Sequence, residues 1–348
     1  MNHQNRLAAD HESILAIAEQ DLRQLDGARL FITGGTGFIG TWLLESLVWA
    51  VNALQLDVKI DVLTRDPDSF RRREPHLGNE PIIQLLRGDV RTPFPVEERP
   101  DVIIHAATPA SAAINLQNPA LMVDTIIDGM RNVLSLAADC DRPRLLFTSS
   151  GAVYGQQPPS LSHVPEGFTG GPDPLKPGNA YHEGKRIAEL LAGIHSAAGL
   201  ADVVVARIYA LLGPRLPLDI HFAAGNFIRD ALAGGPIIVN GDGTPFRSYL
   251  YVSDLMVWLF GLLARGTSGS AYNVGSEEAI NIASLARTVA EVVDPDVSVN
   301  IMGVPTPDQL AARYVPDCTL AHRELGLEQC VDIREGIRRT AAWSRGTT

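Results

Sequence analysis

Short apolar runs alternate with longer amphipathic segments along the first two thirds of the chain. Six of these runs predict β-strands, at 28–33, 58–64, 82–86, 102–105, 144–148 and 203–208. Helical patterns lie between most of them, most clearly at 42–51, 119–138 and 181–198. Apolar strands separated by helices are typical of a parallel sheet that is covered on both faces. The pattern therefore predicts an α/β fold.

The two ends of the chain follow different patterns. Residues 11–25 carry apolar side chains at helical spacing, which predicts an amphipathic helix packed on the main body or at a dimer contact. Beyond residue 213 the order is mixed, with short strands near Ile237 and Tyr249. Helices are predicted there at 222–232, 253–263, 282–293 and 333–343. We therefore expect a smaller mixed α/β region at the C-terminus.

A glycine cluster connects the first strand to the first helix. It reads Thr-Gly-Gly-Thr-Gly-Phe-Ile-Gly at 33–40. Glycines allow a tight turn and close backbone approach, and the helix N-terminus then faces a pyrophosphate. The strand before and the helix after are the context that makes this motif specific. The sequence thus predicts a Rossmann-type doubly wound sheet, with cofactor contacts from Gly34, Gly37, Phe38, Ile39 and Gly40.

These patterns divide the chain into three parts. They are an N-terminal helical extension (1–27), a dinucleotide-binding Rossmann domain (28–212) and a mainly substrate-binding region (213–348). Asp89 and Val90 follow the third strand and are expected to contact the adenine.

The choice between NAD and NADP depends on the end of the second strand. An acidic residue there would bond the ribose hydroxyl of NAD. Arg65 instead stands where a guanidinium meets a 2′-phosphate, and Asp66 comes one residue later. Arg65 facing only solvent is the alternative. Both cofactors stay open, with NADP slightly favoured.

Tyr181 and Lys185 place a phenol and an ammonium four residues apart, hence on one face of a helix. A free phenol, with a pKa near 10, is a poor base at neutral pH. A nearby ammonium and a cationic nicotinamide both favour the phenolate, which can then deprotonate a sugar alcohol. Ser150 ends the fifth strand, where it can bond the reacting oxygen or simply cap the next turn.

Composition excludes several classes of partner. The formal net charge of -11 disfavours nucleic acid, since an acidic surface repels phosphates. Three widely spaced cysteines predict neither disulfides nor a metal site, and they favour a reducing, cytoplasmic compartment. The longest uncharged apolar run, 255–264, is too short to cross a membrane.

Together these motifs resemble the extended short-chain dehydrogenase/reductases, in particular the nucleotide-sugar epimerase/dehydratase group. Further matching segments are Gly-Asp-Val at 88–90, His-Ala-Ala at 105–107 and Ser-Ser-Gly-Ala-Val-Tyr-Gly at 149–155. The resemblance implies that Tyr181 is the acid/base, that Lys185 holds the nicotinamide ribose and that Ser150 polarises the sugar oxygen. It also implies cofactor contacts from Ala106 and Ala107, and nucleotide-sugar contacts from Asn226 and Arg247.

The sequence departs from the group's pattern at several positions. Gly151 and Ala152 stand where 4,6-dehydratases carry Asp-Glu and where decarboxylases carry Glu at the second position. Dehydration is therefore disfavoured, and the glutamate of the decarboxylases is missing. Ile126 and Ala210 replace two asparagines of the group, so two side-chain amides expected near the substrate are absent.

These observations favour an NAD(P)-dependent epimerase or oxidoreductase that moves hydride at a sugar carbon, with carbon 4 preferred. An NADPH-dependent 4-keto-sugar reductase uses the same residues and remains an alternative. A catalytically silent dinucleotide-binding sensor or scaffold is the alternative from another class. The resemblance also implies a homodimer formed through the helices at 119–138 and 181–198.

Overall fold

The computed structural model describes residues 6–94, 96–108, 112–219 and 223–346. A seven-stranded parallel sheet forms its centre, in the order β3-β2-β1-β4-β5-β6-β11. The bounds are β1 Arg29–Thr33, β2 Lys59–Thr64, β3 Ile83–Arg87, β4 Val102–His105, β5 Arg144–Ser150, β6 Asp202–Ile208 and β11 Ser270–Val274. The predicted fold class is confirmed.

Twelve helices are described, and most match the predicted ones. Their bounds are α1 Ala8–Arg23, α2 Phe38–Leu54, α3 Pro67–Arg73, α4 Pro75–Gly78, α5 Ala112–Gln117, α6 Pro119–Ala138, α7 Ala180–Ala197, α8 Ala223–Leu232, α9 Val252–Arg265, α10 Ile282–Val293, α11 Thr319–Leu325 and α12 Ile333–Arg345. Phe222, the predicted first residue of α8, lies outside the described residues. No described helix is long and apolar enough to span a bilayer.

The remaining strands form three small sheets beside the central one. They are β7 Leu211–Leu212, β8 Ile237–Val239, β9 Phe246–Arg247, β10 Leu250–Tyr251, β12 Ile280–Asn281, β13 Val299–Ile301 and β14 Arg313–Tyr314. The pairs are β10-β7 and β13-β8, and the third sheet runs β12-β9-β14.

The strand order reverses between β1 and β4, which both pair in parallel with their neighbours. The connections leaving the carboxyl ends of these two strands run to opposite sides. A crevice opens at such a switch point, and ligands of open α/β sheets bind there. The glycine turn after β1 and the end of β5 both lie along this edge.

Two apolar clusters cover the faces of the sheet. Side chains of α6 and α7 pack on one face, around Phe31, Ile103 and Phe147. Side chains of α1, α2 and α9 pack on the other, around Leu30 and Ile32. Because the strands are apolar on both faces, each face needs such a helical cover. This explains why the strand signals in the sequence were continuous apolar runs.

Helix α1 corresponds to the amphipathic helix predicted at 11–25, and Ile14, Ala18 and Leu22 are buried beneath it. Asp10 receives a hydrogen bond from the Tyr251 hydroxyl at 2.9 Å and forms an ion pair with Arg339 at 2.5 Å. The helix is therefore tied to the C-terminal part of the chain.

Strand β11 was missed by the sequence analysis. It pairs with β6 from Ser270↔Val204 to Val274↔Ile208 and so joins the central sheet from beyond residue 212. Its run is short and mixes polar residues with apolar ones, so it lacks the apolar signal of the other strands. The division of the chain at 27 and 212 otherwise stays a prediction.

A buried ion cluster lies where α1, α2 and α4 meet. Ligand atoms of Glu45, Glu74 and His76 lie within 4.8 Å of one another, close enough to hold a metal ion. The Arg215 guanidinium bonds both carboxylates, and His11 contacts Glu45 at 3.4 Å. Arg215 thus supplies the positive charge that a metal would bring, and we interpret the cluster as structural.

Candidate active site

The glycine turn is closed by direct backbone contact. Gly34 has a φ of +74°, and a Cβ there would lie 2.4 Å from the carbonyl oxygen of Ala106. A Cβ on Gly40 would lie 2.2 Å from the carbonyl oxygen of Gly34. Neither position tolerates a side chain, so Ala106 and Ala107 at the end of β4 abut the turn.

The start of α2 fits an anionic ligand. Gly37 is exposed and precedes Phe38, and no side chain of the described residues caps the first N–H groups of this helix. Uncapped N–H groups and the helix dipole favour a phosphate. Phe38 and Ile39 are partly exposed in the first turn. The turn therefore fits the pyrophosphate of a dinucleotide.

The residues predicted at the adenine end include both arginines and aspartates. Arg65 is exposed, whereas the Asp66 carboxylate accepts the backbone N–H of Ser69 at 3.0 Å and caps α3. Asp89 accepts three hydrogen bonds from Arg91, which lower the pKa of Asp89 to about 2, and the charge of Arg65 adds to this effect. Asp66 is thus occupied as a helix cap, and Arg65 remains exposed.

Val90 lies against α6 below the same edge. It is buried, and its carbonyl accepts from Asn132 at 2.9 Å. A Cβ on Gly129 would lie 3.1 Å from Val90. The small residue at 129 therefore lets the Val90 segment pack closely on the helix.

Lys185 is almost completely buried, at 2% exposed. Its Nζ donates to the Thr148 carbonyl at 2.7 Å and lies 4.6 Å from the centre of the Phe147 ring. Burial lowers the pKa of Lys185 to about 7, although the charge of Glu189 opposes this shift. The ammonium thus sits at the end of β5 in surroundings that disfavour its charge.

Tyr181 and Ser150 lie beside Lys185. The Lys185 Nζ is 6.0 Å from the centre of the Tyr181 ring. Burial raises the pKa of Tyr181, and a hydrogen bond with Ser150 acts in the opposite direction. The structure therefore brings together the three residues predicted to be catalytic. Their roles in a reaction stay predictions.

A polar network holds the helix that carries Tyr181 and Lys185. Glu189 accepts from Ser149 at 2.5 Å and from Arg207 at 2.7 Å. Arg207 also donates to the Tyr154 hydroxyl at 2.8 Å, which in turn donates to Asn273 at 2.8 Å. Buried charges are stable only when paired and hydrogen-bonded in this way. The network fixes α7 against β5, β6 and β11.

The two positions that depart from the dehydratase pattern contain no acid or base. A Cβ on Gly151 would lie 2.4 Å from the Tyr209 ring, so this ring fills the space that a side chain at 151 would need. Ala152 is buried, and its N–H donates to the Ser150 hydroxyl oxygen at 3.2 Å. Neither position offers a proton-transfer group.

The predicted substrate residues are placed differently from each other. Arg247 lies in β9, in register with Tyr314 of β14; burial raises the pKa of Tyr314, and the charge of Arg247 acts against this rise. Tyr314 in turn contacts Ser150, so Arg247 belongs to the same neighbourhood. Asn226 lies in the first turn of α8 and accepts from Arg229 at 3.3 Å. No contact within the described ranges joins Asn226 to Ser150 or Tyr181, and its role stays a prediction.

The structure adds residues that the sequence analysis missed. Asn115 accepts the backbone N–H of Tyr181 at 2.9 Å, and the Tyr314 hydroxyl lies 3.5 Å from that of Ser150. Ile126, where the resemblance expects an asparagine, packs its side chain near Gly184 on α7. The Ile126 side chain therefore contributes to the apolar packing between α6 and α7. Tyr314 stands in a two-residue strand, too short to give a periodic signal.

The chain is similar to known proteins over most of its length. A model described as the NAD-dependent epimerase/dehydratase family matches residues 30–275. UDP-glucuronic acid decarboxylase 5 of Arabidopsis thaliana is 34% identical over 310 residues, which cover 89% of this chain and 87% of the relative.

Solved structures share the fold. UDP-glucose 4-epimerase of Thermotoga maritima, solved with UDP-glucose, has a TM-score of 0.74 at 23% identity and covers 92% of this chain and 99% of its own. RMD of Pseudomonas aeruginosa, solved with NADPH, has a TM-score of 0.71 at 23% identity. The match covers 91% of this chain and 99% of RMD.

The burial of Lys185 leads to a stability prediction. At neutral pH the unfolded chain holds this lysine as a solvated cation, whereas the folded protein disfavours its charge. Replacement by methionine, Lys185→Met, should therefore raise the free energy of unfolding of the cofactor-free protein by on the order of 2 kcal/mol. The gain should shrink as the pH rises toward about 10, where the unfolded lysine also loses its proton.

Urea unfolding at several pH values measures this effect. Lys176→Met is the matched control, because Lys176 is 74% exposed and its removal should change little. A Lys185→Met protein that is less stable than the wild type at neutral pH would contradict the prediction.

Proposed function

The chain belongs to the NAD-dependent epimerase/dehydratase family, and on this premise we propose that it inverts carbon 4 of a nucleotide sugar by reversible oxidation. The observation that carries the proposal is the convergence of Ser150, Tyr181 and Lys185 next to two positions without an acid or base, Gly151 and Ala152. Such a site can move a proton and a hydride, but it offers no group at 151 or 152 for removing water.

Each residue has a defined task in this proposal. Bound NAD(P) would supply the hydride acceptor and donor. Tyr181 takes the proton of the sugar hydroxyl and later returns it, while Ser150 donates a hydrogen bond to the same oxygen. Lys185 holds the nicotinamide ribose, and its positive charge favours the Tyr181 phenolate.

Decarboxylation of a uronic acid is a second candidate, favoured by the 34% identity to a UDP-glucuronic acid decarboxylase. Oxidation at carbon 4 of a nucleotide uronic acid gives a β-keto acid, which can lose carbon dioxide without an additional base. Ala152 argues against this candidate, because the resemblance places a glutamate there in decarboxylases. Both candidates begin with the same proton removal by Tyr181.

The remaining alternatives find less support. A 4-keto-sugar reductase would use the same three residues and consume NADPH, the cofactor present in the RMD structure. A silent sensor is disfavoured because Ser150, Tyr181 and Lys185 are all retained and brought together.

Incubation with UDP-glucose, UDP-glucuronic acid and their 4-epimers, with either cofactor, tests the proposal. We expect a 4-epimer to form without net change in the reduced-nicotinamide absorbance.

The Tyr181→Phe variant should lose turnover by about 100-fold or more, because the proton-transfer oxygen is gone, while cofactor affinity stays nearly unchanged. Release of carbon dioxide from UDP-glucuronic acid would show decarboxylation, the second candidate, in place of epimerisation. Wild-type turnover in the Tyr181→Phe variant would show that Tyr181 is not the acid/base.

We further propose that the cofactor is NADP. Arg65 is exposed at the end of β2, and the Asp66 carboxylate is already used by the Ser69 N–H. Arg87 donates to the Arg65 carbonyl at 3.2 Å and so brings a second guanidinium to this edge, where it also pairs with Asp68 at 2.9 Å. A 2′-phosphate would find positive charge here, whereas the carboxylate nearest to the strand end caps a helix.

The Arg65→Ala variant tests this choice. It should weaken NADP binding by about tenfold and NAD binding by about twofold or less, because only NADP carries the phosphate. Titration of the protein with each cofactor measures both constants. Arg71→Ala is a control of the same residue type on α3. Equal losses of affinity for the two cofactors in Arg65→Ala would mean that Arg65 does not bind the 2′-phosphate.

A homodimer formed through α6 and α7 is the third part of the proposal. Ile187, Leu190 and Ile194 recur at helical spacing along α7, and they are 40%, 64% and 54% exposed. A stripe of this kind on one helix is typical of an interface. It lies on the helix that also carries Tyr181 and Lys185.

Leu190→Asp should therefore halve the molar mass measured by light scattering, because a buried charge disfavours an apolar interface. Leu310→Asp is the control, since Leu310 is equally exposed, at 68%, but lies outside the helices. A monomeric wild-type protein would overturn the proposal of a dimer.

A further inference from the structure

A third hydroxyl group lies next to those of Ser150 and Tyr181. Tyr314 comes from β14, far along the chain, and its hydroxyl oxygen is 3.5 Å from that of Ser150. Its ring packs on Tyr209 with the ring centres 4.5 Å apart. The Ser150 hydroxyl thus contacts Tyr314 and the N–H of Ala152, and it lies close enough to Tyr181 to act on the pKa of that phenol.

The bonding capacity of a serine hydroxyl limits how these neighbours share it. The oxygen offers one proton and two lone pairs. The N–H of Ala152 occupies one lone pair, at 3.2 Å. When Tyr181 acts as a base it carries a negative oxygen, so the Ser150 proton must point toward that oxygen or toward the sugar oxygen. The second lone pair of Ser150 then needs a donor, and Tyr314 is in position to be that donor.

We propose that Tyr314 is a positioning residue, which donates a hydrogen bond to Ser150 and thereby directs the Ser150 proton toward Tyr181 and the reacting oxygen. The inference rests on the proposed function only in assigning the reacting oxygen to a sugar. It adds a residue from the C-terminal region to a proton-transfer site built on β5 and α7.

The surroundings of Tyr314 suit a donor. Burial raises the pKa of Tyr314, so its hydroxyl keeps its proton at neutral pH. The hydrogen bond with Ser150 and the charge of Arg247 on the neighbouring strand act against this rise, whereas Tyr181 and Tyr154 add to it. The distance of 3.5 Å between the two hydroxyl oxygens is long for a hydrogen bond, and catalytic hydrogen bonds commonly tighten in a ligand complex.

Tyr209 offers a matched control. It is also a buried tyrosine, and its ring packs against that of Tyr314. Its hydroxyl, however, has no hydrogen-bond partner among the described residues. Tyr209→Phe and Tyr314→Phe both remove one oxygen and keep the ring packing. Only Tyr314→Phe removes the donor to Ser150.

The first measurement uses the acidic limb of the kcat–pH profile. Tyr314→Phe should lower kcat by about three- to tenfold at neutral pH and leave KM within about twofold, because one hydrogen bond is lost in the transition state. Since the hydrogen bond from Ser150 favours the phenolate, the limb should move to higher pH by about half a unit. Tyr209→Phe should change neither quantity.

The second measurement does not require a substrate. Ultraviolet difference titration of the NADP⁺-bound protein against its Tyr181→Phe variant follows the Tyr181 phenolate directly. Tyr314→Phe should raise the pKa of Tyr181 by about half a unit, and this shift should vanish when Ser150 is alanine. If no nucleotide sugar turns over, the proposed function fails while this titration still tests the inference.

Two outcomes overturn the proposal. One is an equal effect of Tyr209→Phe and Tyr314→Phe on the Tyr181 titration, which would assign the change to packing. The other is a Tyr314→Phe effect that persists in full in the Ser150→Ala background, which would show that Tyr314 acts without Ser150.

Discussion

The candidate site depends on one buried charge, the ammonium of Lys185. Burial opposes this charge, and the fold compensates with the Thr148 carbonyl and with Glu189 one helical turn further on. Glu189 is itself held by Arg207 and Ser149. A compensation of this kind works only while α7 keeps its position on β5 and β6, so the buried charge, which itself costs stability, depends on the packing of the helix.

The second constraint is the close approach of two loops at the switch point. Gly34 and Ala106 touch through their backbones, so the loops after β1 and β4 are held together. The next strand, β5, ends at Ser150 along the same edge of the sheet. The glycine turn and the proposed proton-transfer group are therefore carried by β1 and β5, which pair with β4 from either side in one sheet, and such a fold can place a cofactor against a reacting atom.

Much of this arrangement could be predicted from local patterns. Apolar runs located six strands of the central sheet, and residue spacing alone placed Tyr181 and Lys185 on one face of α7. The seventh strand, β11, and the short strand that carries Tyr314 could not be found in this way. The contact between Ser150 and Tyr314 spans 164 positions, and only the tertiary fold decides which distant residue meets a strand end.

The departures from the dehydratase pattern form a connected change rather than separate losses. Gly151 leaves room for the Tyr209 ring, and that ring in turn supports Tyr314 beside Ser150. A larger side chain at 151 would meet the Tyr209 ring at 2.4 Å and displace it. At 151 the chain thus has aromatic packing where the resemblance to the dehydratases implies an acidic side chain. In the proposed function the proton chemistry is left to Tyr181 and Ser150, and a site with only these groups favours moving a proton and a hydride on the sugar over removing water from it.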